Sequence, residues 1–206
     1  MLVILDKDLT LVQPLLGEGF VSHPRDQRLL PGVADRVREL KAAGVTMVIV
    51  SNQGGCTTND PKTGKPYKTI DDAIDEMRYC MELLPEIEVA YFCPDSSGFY
   101  CHFVTKGTIG TAICKDKSFR KPAPGMLLLA IAQAGDTFAT MIGDQESDQL
   151  AAKAAGVPFI WAEEFRSPKH LVLGSPNTTD YLARVQALDE MVKLNQEMGL
   201  YDTPGD

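Results

Sequence analysis

The chain has 206 residues, 28 acidic and 20 basic side chains, a net charge of -8 and 44% hydrophobic content. That composition excludes collagen-like, disordered and coiled-coil chains, and a chain this long can bury roughly 70% of its unfolded surface without a disulfide or metal staple. No apolar run approaches the length of a membrane span, and an acidic pair directly after the first five apolar residues argues against a signal peptide. Five cysteines without framework spacing suit reduced thiols. These features predict a cytoplasmic protein with no membrane partner, and the acidic balance argues against non-specific nucleic-acid binding.

Four short apolar runs, residues 2–5, 47–50, 89–92 and 138–142, read as buried strands, and a fifth follows at 158–161. Between them lie helical patterns. Residues 33–43 place Val33, Val37 and Leu40 on one face, with Gly44 as the stop. A second helix begins at Thr69, with Asp72 as its capping-box partner, carries Ile70, Ala73, Ile74, Met77, Met81 and Leu84 at helical spacing, and ends at Pro85. Helices at about 124–134 and 147–155 each precede a glycine. The alternation predicts an α/β fold: a Rossmann-like three-layer sandwich with a mainly parallel central sheet and no large cap domain. The expected division is a core over residues 1–165, interrupted by a long loop at about 93–119, and a tail over 166–206. The tail is read as loop followed by an amphipathic helix at about 179–198, packed on the core.

Ligands of such sheets bind beyond the carboxyl ends of the strands, which selects the residues just after each one. Asp6 and Asp8 stand two apart after the first strand, so an extended backbone aims both carboxylates to one side and Lys7 to the other. Paired acids need a cation or a proton between them. After the second strand, Ser51 and Asn52 offer hydrogen bonds, and Gly54 and Gly55 let backbone amides approach an anion. Asp144 and Asp148 flank a helix start after the fourth strand. Lys121 precedes a rigid Pro-Ala-Pro turn, a suitable counter-charge for phosphate. Singly, each feature is as well explained by a turn, a helix-terminal acid or a surface lysine.

Their order is more informative. D-x-D-x-T, Ser-Asn, Lys before a helix and G-D-x-x-x-D resemble the four motifs of the haloacid dehalogenase superfamily of phosphotransferases, over about residues 2–161. The stretches HPRDQRLLPGV, SNQGG and RKPAPGM are similar to the subgroup of histidinol phosphatase, the heptose bisphosphate phosphatases and the polynucleotide 3'-phosphatases. The resemblance implies that Asp6 is the nucleophile forming an aspartyl phosphate and Asp8 the acid and base. Ser51 and Lys121 would hold the phosphoryl group, with Asn52 and Arg120 near the substrate. Mg2+ would bind the Asp6 carboxylate, the Asp8 main-chain carbonyl and Asp144, supported by Asp148.

Two departures stand out. The family usually has glycine where this chain has Leu9. Heptose bisphosphate phosphatases carry a zinc loop where this chain has Cys93, Cys101, His102 and Cys114, and here the incomplete spacing favours a metal-free loop over a zinc site. Basic residues gather in two segments assigned to the rim of the site: Lys62, Lys65 and Lys68, then Lys106, Lys115, Lys117, Arg120 and Lys121. The leading expectation is a magnesium-dependent phosphomonoesterase acting on a small phosphorylated metabolite such as a sugar phosphate. The runner-up is a 3'-phosphatase acting on DNA or RNA ends.

Overall fold

The expected buried runs become the strands β1 (Leu2–Leu5), β4 (Thr46–Asn52), β5 (Val89–Cys93), β8 (Ala139–Gly143) and β9 (Phe159–Trp161) of one sheet. This computed structural model describes residues 1–15, 21, 23–116, 118–135 and 138–168. The expected helix at 179–198 lies outside the described residues, as does Lys117. β1 is central, parallel to β4 on one side and β8 on the other; β5 extends the sheet beyond β4 and β9 beyond β8, all in parallel.

Residue alternation along β1 sorts two cores. Leu2 and Ile4 pack with Val48, Val50, Tyr91, Leu127, Ile131 and Ala151, beneath α3 (Gly125–Ala134) and α4 (Glu146–Ala155). Val3 and Leu5 face the other way, onto Val33 and Val37 of α1 (Val33–Ala42), Ala73 and Met77 of α2 (Ile70–Leu83), and Phe165 of the short α5 (Ala162–Arg166). This is the three-layer architecture that the sequence predicts. The start of α2 is closed as expected, with Thr69 Oγ1 accepting the Asp72 amide at 3.0 Å and Asp72 Oδ2 accepting the Thr69 amide at 2.9 Å. Satisfying two orphan amides at once fixes where that helix begins.

The segment read as a long loop at 93–119 contains a hairpin. β6 (Tyr100–Val104) and β7 (Ile109–Ile113) extend the sheet antiparallel from β5, so the order is β7-β6-β5-β4-β1-β8-β9. Asp95 starts it: its carboxylate accepts the Phe99 and Tyr100 amides at 3.2 and 3.1 Å. The hairpin also corrects the expected charge layout. Val104 pairs with Ala90 at the start of β5, so the turn bearing Lys106 lies at the end of the sheet opposite the carboxyl ends of the parallel strands. A second small ladder joins β2 (Val12–Gln13) to β3 (Arg28–Leu29) within the first long connection.

The cysteines of the hairpin region are dispersed by the same geometry. Cys93, Cys101 and Cys114 are buried in the core beneath α3, whereas His102 points to the opposite face, stacks on Phe92 at 5.1 Å and hydrogen-bonds Thr111 Oγ1 through Nδ1 at 2.8 Å. Neighbours on a strand alternate faces, so the His102 ring lies across the sheet from the three thiols. All five cysteines are free thiols. Among the described residues, no helix is long and apolar enough to cross a membrane.

Candidate active site

A cleft of about 760 Å³ opens beyond the carboxyl ends of β1, β4 and β8. Its lining includes all eight residues singled out from the sequence: Asp6, Asp8, Ser51, Asn52, Arg120, Lys121, Asp144 and Asp148. They come from the ends of β1, β4 and β8 and from the turn before α3, beside the switch point where β1 leads to β4 and one edge of the sheet while its other neighbour β8 leads to β9 and the opposite edge. That is where a parallel α/β sheet leaves a crevice.

Lys121 is the hub. Its ammonium lies 2.6 Å from Asp6 Oδ1, 2.6 Å from Asp148 Oδ1 and 3.0 Å from the Val50 carbonyl. Burial alone would depress the Lys121 ammonium, but Asp6 and Asp148 outweigh it and raise the pKa. Asn52 fixes the main chain of Lys121 through two reciprocal hydrogen bonds, its Oδ1 accepting the Lys121 amide and its Nδ2 donating to the Lys121 carbonyl. The resemblance placed Asn52 near the substrate. Asn52 does line the cleft, and both ends of its amide are engaged by Lys121.

Asp148 is 1% exposed; besides Lys121, it accepts the Gln145 amide at 3.0 Å through Oδ2. Gly143 makes that burial compatible with the strand end, because a Cβ there would stand 2.5 Å from the Cβ and Cγ of Asp148. Asp144 is half-buried and takes hydrogen bonds from Thr10 Oγ1 and Gln145 Nε2. Carboxylate oxygens of Asp6, Asp144 and Asp148 lie within 4.8 Å of one another, the geometry of a cation site. Burial pushes Asp6 up to about 7, a rise that Lys121 opposes and that Asp148 and Asp8 reinforce. A buried carboxylate raised by its acidic neighbours is the condition that a divalent cation relieves.

The turn that carries Asp8 departs from the extended geometry expected of D-x-D. Lys7 is fully buried, and its ammonium lies 2.6 Å from Asp8 Oδ1 and 3.4 Å from Glu76 on α2. Burial would raise the Asp8 carboxyl, but Lys7 outweighs it and holds the group below its ordinary value. Leu9 then turns the chain with φ 60°, in the left-handed region that glycine adopts freely, which accounts for glycine at this position in the family motif. Arg166 clamps the turn by donating from Nη1 to the Leu9 and Thr10 carbonyls at 2.9 and 3.0 Å.

Sequence reasoning overlooked Gln53 and Glu76, and it named Lys68 only as one of the basic residues of the rim, where Lys68 does line the cleft. Gln53 donates to Asp8 Oδ2 at 3.0 Å and to Ser51 Oγ at 2.9 Å, while Lys68 bridges Gln53 Oε1 and Glu76 Oε1. A signal was present, since Glu76 falls three residues after Ala73 and four before Cys80, on the apolar stripe of α2. An acid on a buried stripe requires a cationic partner. Counting Glu76, the cleft and its wall hold five carboxylates against the four cations Lys7, Lys68, Arg120 and Lys121. A divalent cation reverses that sign, leaving a site suited to a phosphate dianion.

The family model described as Polynucleotide kinase 3 phosphatase matches residues 1–157. A D-glycero-D-manno-heptose-1,7-bisphosphate 7-phosphatase of Thermosynechococcus vestitus is 31% identical over 164 residues, covering 75% of this chain and 74% of that protein. A D-glycero-beta-D-manno-heptose-1,7-bisphosphate 7-phosphatase of Rhodopseudomonas palustris is 35% identical over 139 residues, 64% of this chain and 67% of that one. Among solved structures, the D,D-heptose 1.7-bisphosphate phosphatase from B. bronchiseptica, complexed with magnesium and phosphate, superposes with a TM-score of 0.55 at 23% identity, over 95% of this chain and 98% of that one, in agreement with the fold. Sequence match, sheet order and the convergence of the four motifs on one cleft agree: the chain belongs to the haloacid dehalogenase superfamily of phosphatases, in the family that the Polynucleotide kinase 3 phosphatase model describes.

Proposed function

We propose that the chain is a magnesium-dependent phosphomonoesterase that hydrolyses a small phosphorylated sugar through an aspartyl phosphate, with residues 1–165 forming the catalytic core. The observation that carries this reading is the Asp6–Lys121 pair at 2.6 Å, set among Asp144 and Asp148 at the mouth of the sheet. The relatives named heptose bisphosphate phosphatases support a sugar phosphate as the substrate class.

Asp6 attacks phosphorus as the bond to the leaving oxygen breaks, and Asp8, ionised in the empty site and protonated as the phosphate dianion enters beside it, gives that oxygen its proton. Water then attacks the acyl phosphate, Asp8 takes its proton, and Asp6 is released as phosphate departs. Lys121 offsets the charge of the phosphoryl oxygens. Ser51 Oγ already accepts from Gln53, so its own O–H is free to donate into the cleft. The Asp6 and Asp144 carboxylates and the Asp8 main-chain carbonyl, with Asp148 in support, would hold magnesium, which would supply the remaining neutralisation of the phosphate.

Asp6→Asn should reduce magnesium-dependent turnover of an aryl phosphate by at least about a thousandfold while leaving the fold intact by circular dichroism. Undiminished turnover would overturn the assignment. A panel of sugar phosphates, including heptose bisphosphates, assayed beside a 3'-phosphorylated oligonucleotide, tests the substrate class. Preference for the oligonucleotide, lost steeply with salt, would replace the sugar reading with the nucleic-acid one. The position of Lys106 at the far end of the sheet thins the basic rim, which a sugar phosphate and a nucleic-acid end would both use.

A further inference from the structure

Five side chains form a closed ring that runs from the cleft wall to α2. From Asp8 Oδ1 the path runs 2.6 Å to Lys7 Nζ and 3.4 Å on to Glu76 Oε2; from Glu76 Oε1 it runs 2.5 Å to Lys68 Nζ and 2.9 Å to Gln53 Oε1, and Gln53 Nε2 returns to Asp8 Oδ2 at 3.0 Å. Glu76 is 1% exposed, sits in the middle of α2 and does not line the cleft. It touches neither Asp8 nor the phosphate site, yet both arms of the ring that reach Asp8 are anchored on it.

We infer that Glu76 is a positioning residue for the proton donor Asp8, acting through Lys7 on one carboxylate oxygen and through Lys68 and Gln53 on the other. The inference rests on the phosphomonoesterase reading above. Two lysines beside a lone Asp8 would each be drawn to it by charge; Glu76 takes one contact from each and divides their attraction. With one oxygen facing Lys7 and the other facing Gln53, the Asp8 carboxyl is held against rotation about its Cβ–Cγ bond. A proton donor needs that restraint, because proton transfer to the leaving oxygen requires hydrogen-bond contact with it. The same glutamine donates to Ser51 Oγ, so the ring sets the donor and one phosphate ligand in register.

The ring also specifies its own signature. Leaving groups that depart readily as anions need little proton donation, whereas poor leaving groups depend on it. Glu76→Gln keeps the shape and removes the charge that holds the two lysines. Pre-steady-state cleavage of a series from 2,4-dinitrophenyl phosphate to phenyl phosphate, in saturating magnesium, is therefore the measurement. The rate for phenyl phosphate should fall about tenfold or more beyond any fall for the dinitrophenyl ester, with KM changed less than about twofold. Gln53→Leu, which introduces no unpaired charge, should show the same steepened dependence and decides the matter if Glu76→Gln does not fold.

Equal losses across the series in both variants, or no loss in either, would overturn the inference and leave the phosphatase reading standing. A wild-type protein that cleaves none of these esters in magnesium would overturn that reading, and the inference with it.

Discussion

The Asn52 side chain and the Lys121 main chain are joined by two hydrogen bonds, at 2.9 and 3.0 Å, between residues 69 positions apart. They tie the end of β4 to the turn before α3, so the lysine that contacts Asp6 is held by a residue already fixed in the sheet. Asn52→Ala removes both bonds and leaves a part-buried amide and carbonyl without these partners. It should lower stability by about 1–3 kcal/mol. Turnover should fall by about ten- to a hundredfold, because a displaced Lys121 no longer lies where charge develops. Thermal unfolding and aryl phosphatase assays on the same preparation would check both effects; full activity with reduced stability would confine Asn52 to a structural role.

A linked effect of pH and magnesium follows from Asp6. Burial raises its carboxyl to about 7 in the metal-free protein, against about 3.9 in an unfolded chain. Between those values the folded state keeps a proton that the unfolded state has lost, so this group's contribution to stability declines as pH rises from about 4 to about 7 and is level above. Magnesium requires the ionised form and must displace that proton below pH 7. The rise in melting temperature on adding magnesium should therefore be small near pH 5, grow towards pH 7 and level off beyond it. An equal rise at pH 5 and pH 8 would show that Asp6 is already ionised without the metal.

The parallel core was legible because each strand is a compact apolar run and each helix carries its own stop or cap. Six of the eight cleft residues were legible because a parallel sheet presents the residues after its strands at one end, whatever their sequence separation; Arg120 and Lys121, in the turn before α3, were legible through the RKPAPGM motif. The β6–β7 hairpin was obscured because its strands mix cysteine, histidine, threonine and glycine, with a polar turn at residues 105–108 between them. The alternation in Tyr100 to Val104 is the signal that identifies it in retrospect. The Lys7–Glu76 contact was hidden for a different reason. It joins side chains 69 positions apart that no shared motif connects, and the turn at Leu9 breaks the extended geometry from which the direction of Lys7 was reasoned.

Leu9 provides a test of that turn. A non-glycine residue at φ 60° is strained by roughly 1–2 kcal/mol, while glycine gives back about 0.5–1 kcal/mol through the greater freedom of its unfolded chain. The Leu9 side chain is 46% exposed, so little packing is lost on removing it. Leu9→Gly should therefore raise stability by about 0.5–1 kcal/mol, and the melting temperature by about 1–4 °C for a chain of this size. The Arg166 clamp acts on the Leu9 and Thr10 carbonyls, which the substitution retains, so the Asp8 turn should stay in place. Because Leu9 also lines the cleft beside Asp8, the variant should admit bulkier phosphate esters and lower their KM relative to that of a small ester. A drop in melting temperature would show that the exposed leucine is held by contacts outweighing its backbone strain, and unchanged relative KM values would show that it does not shape the entrance.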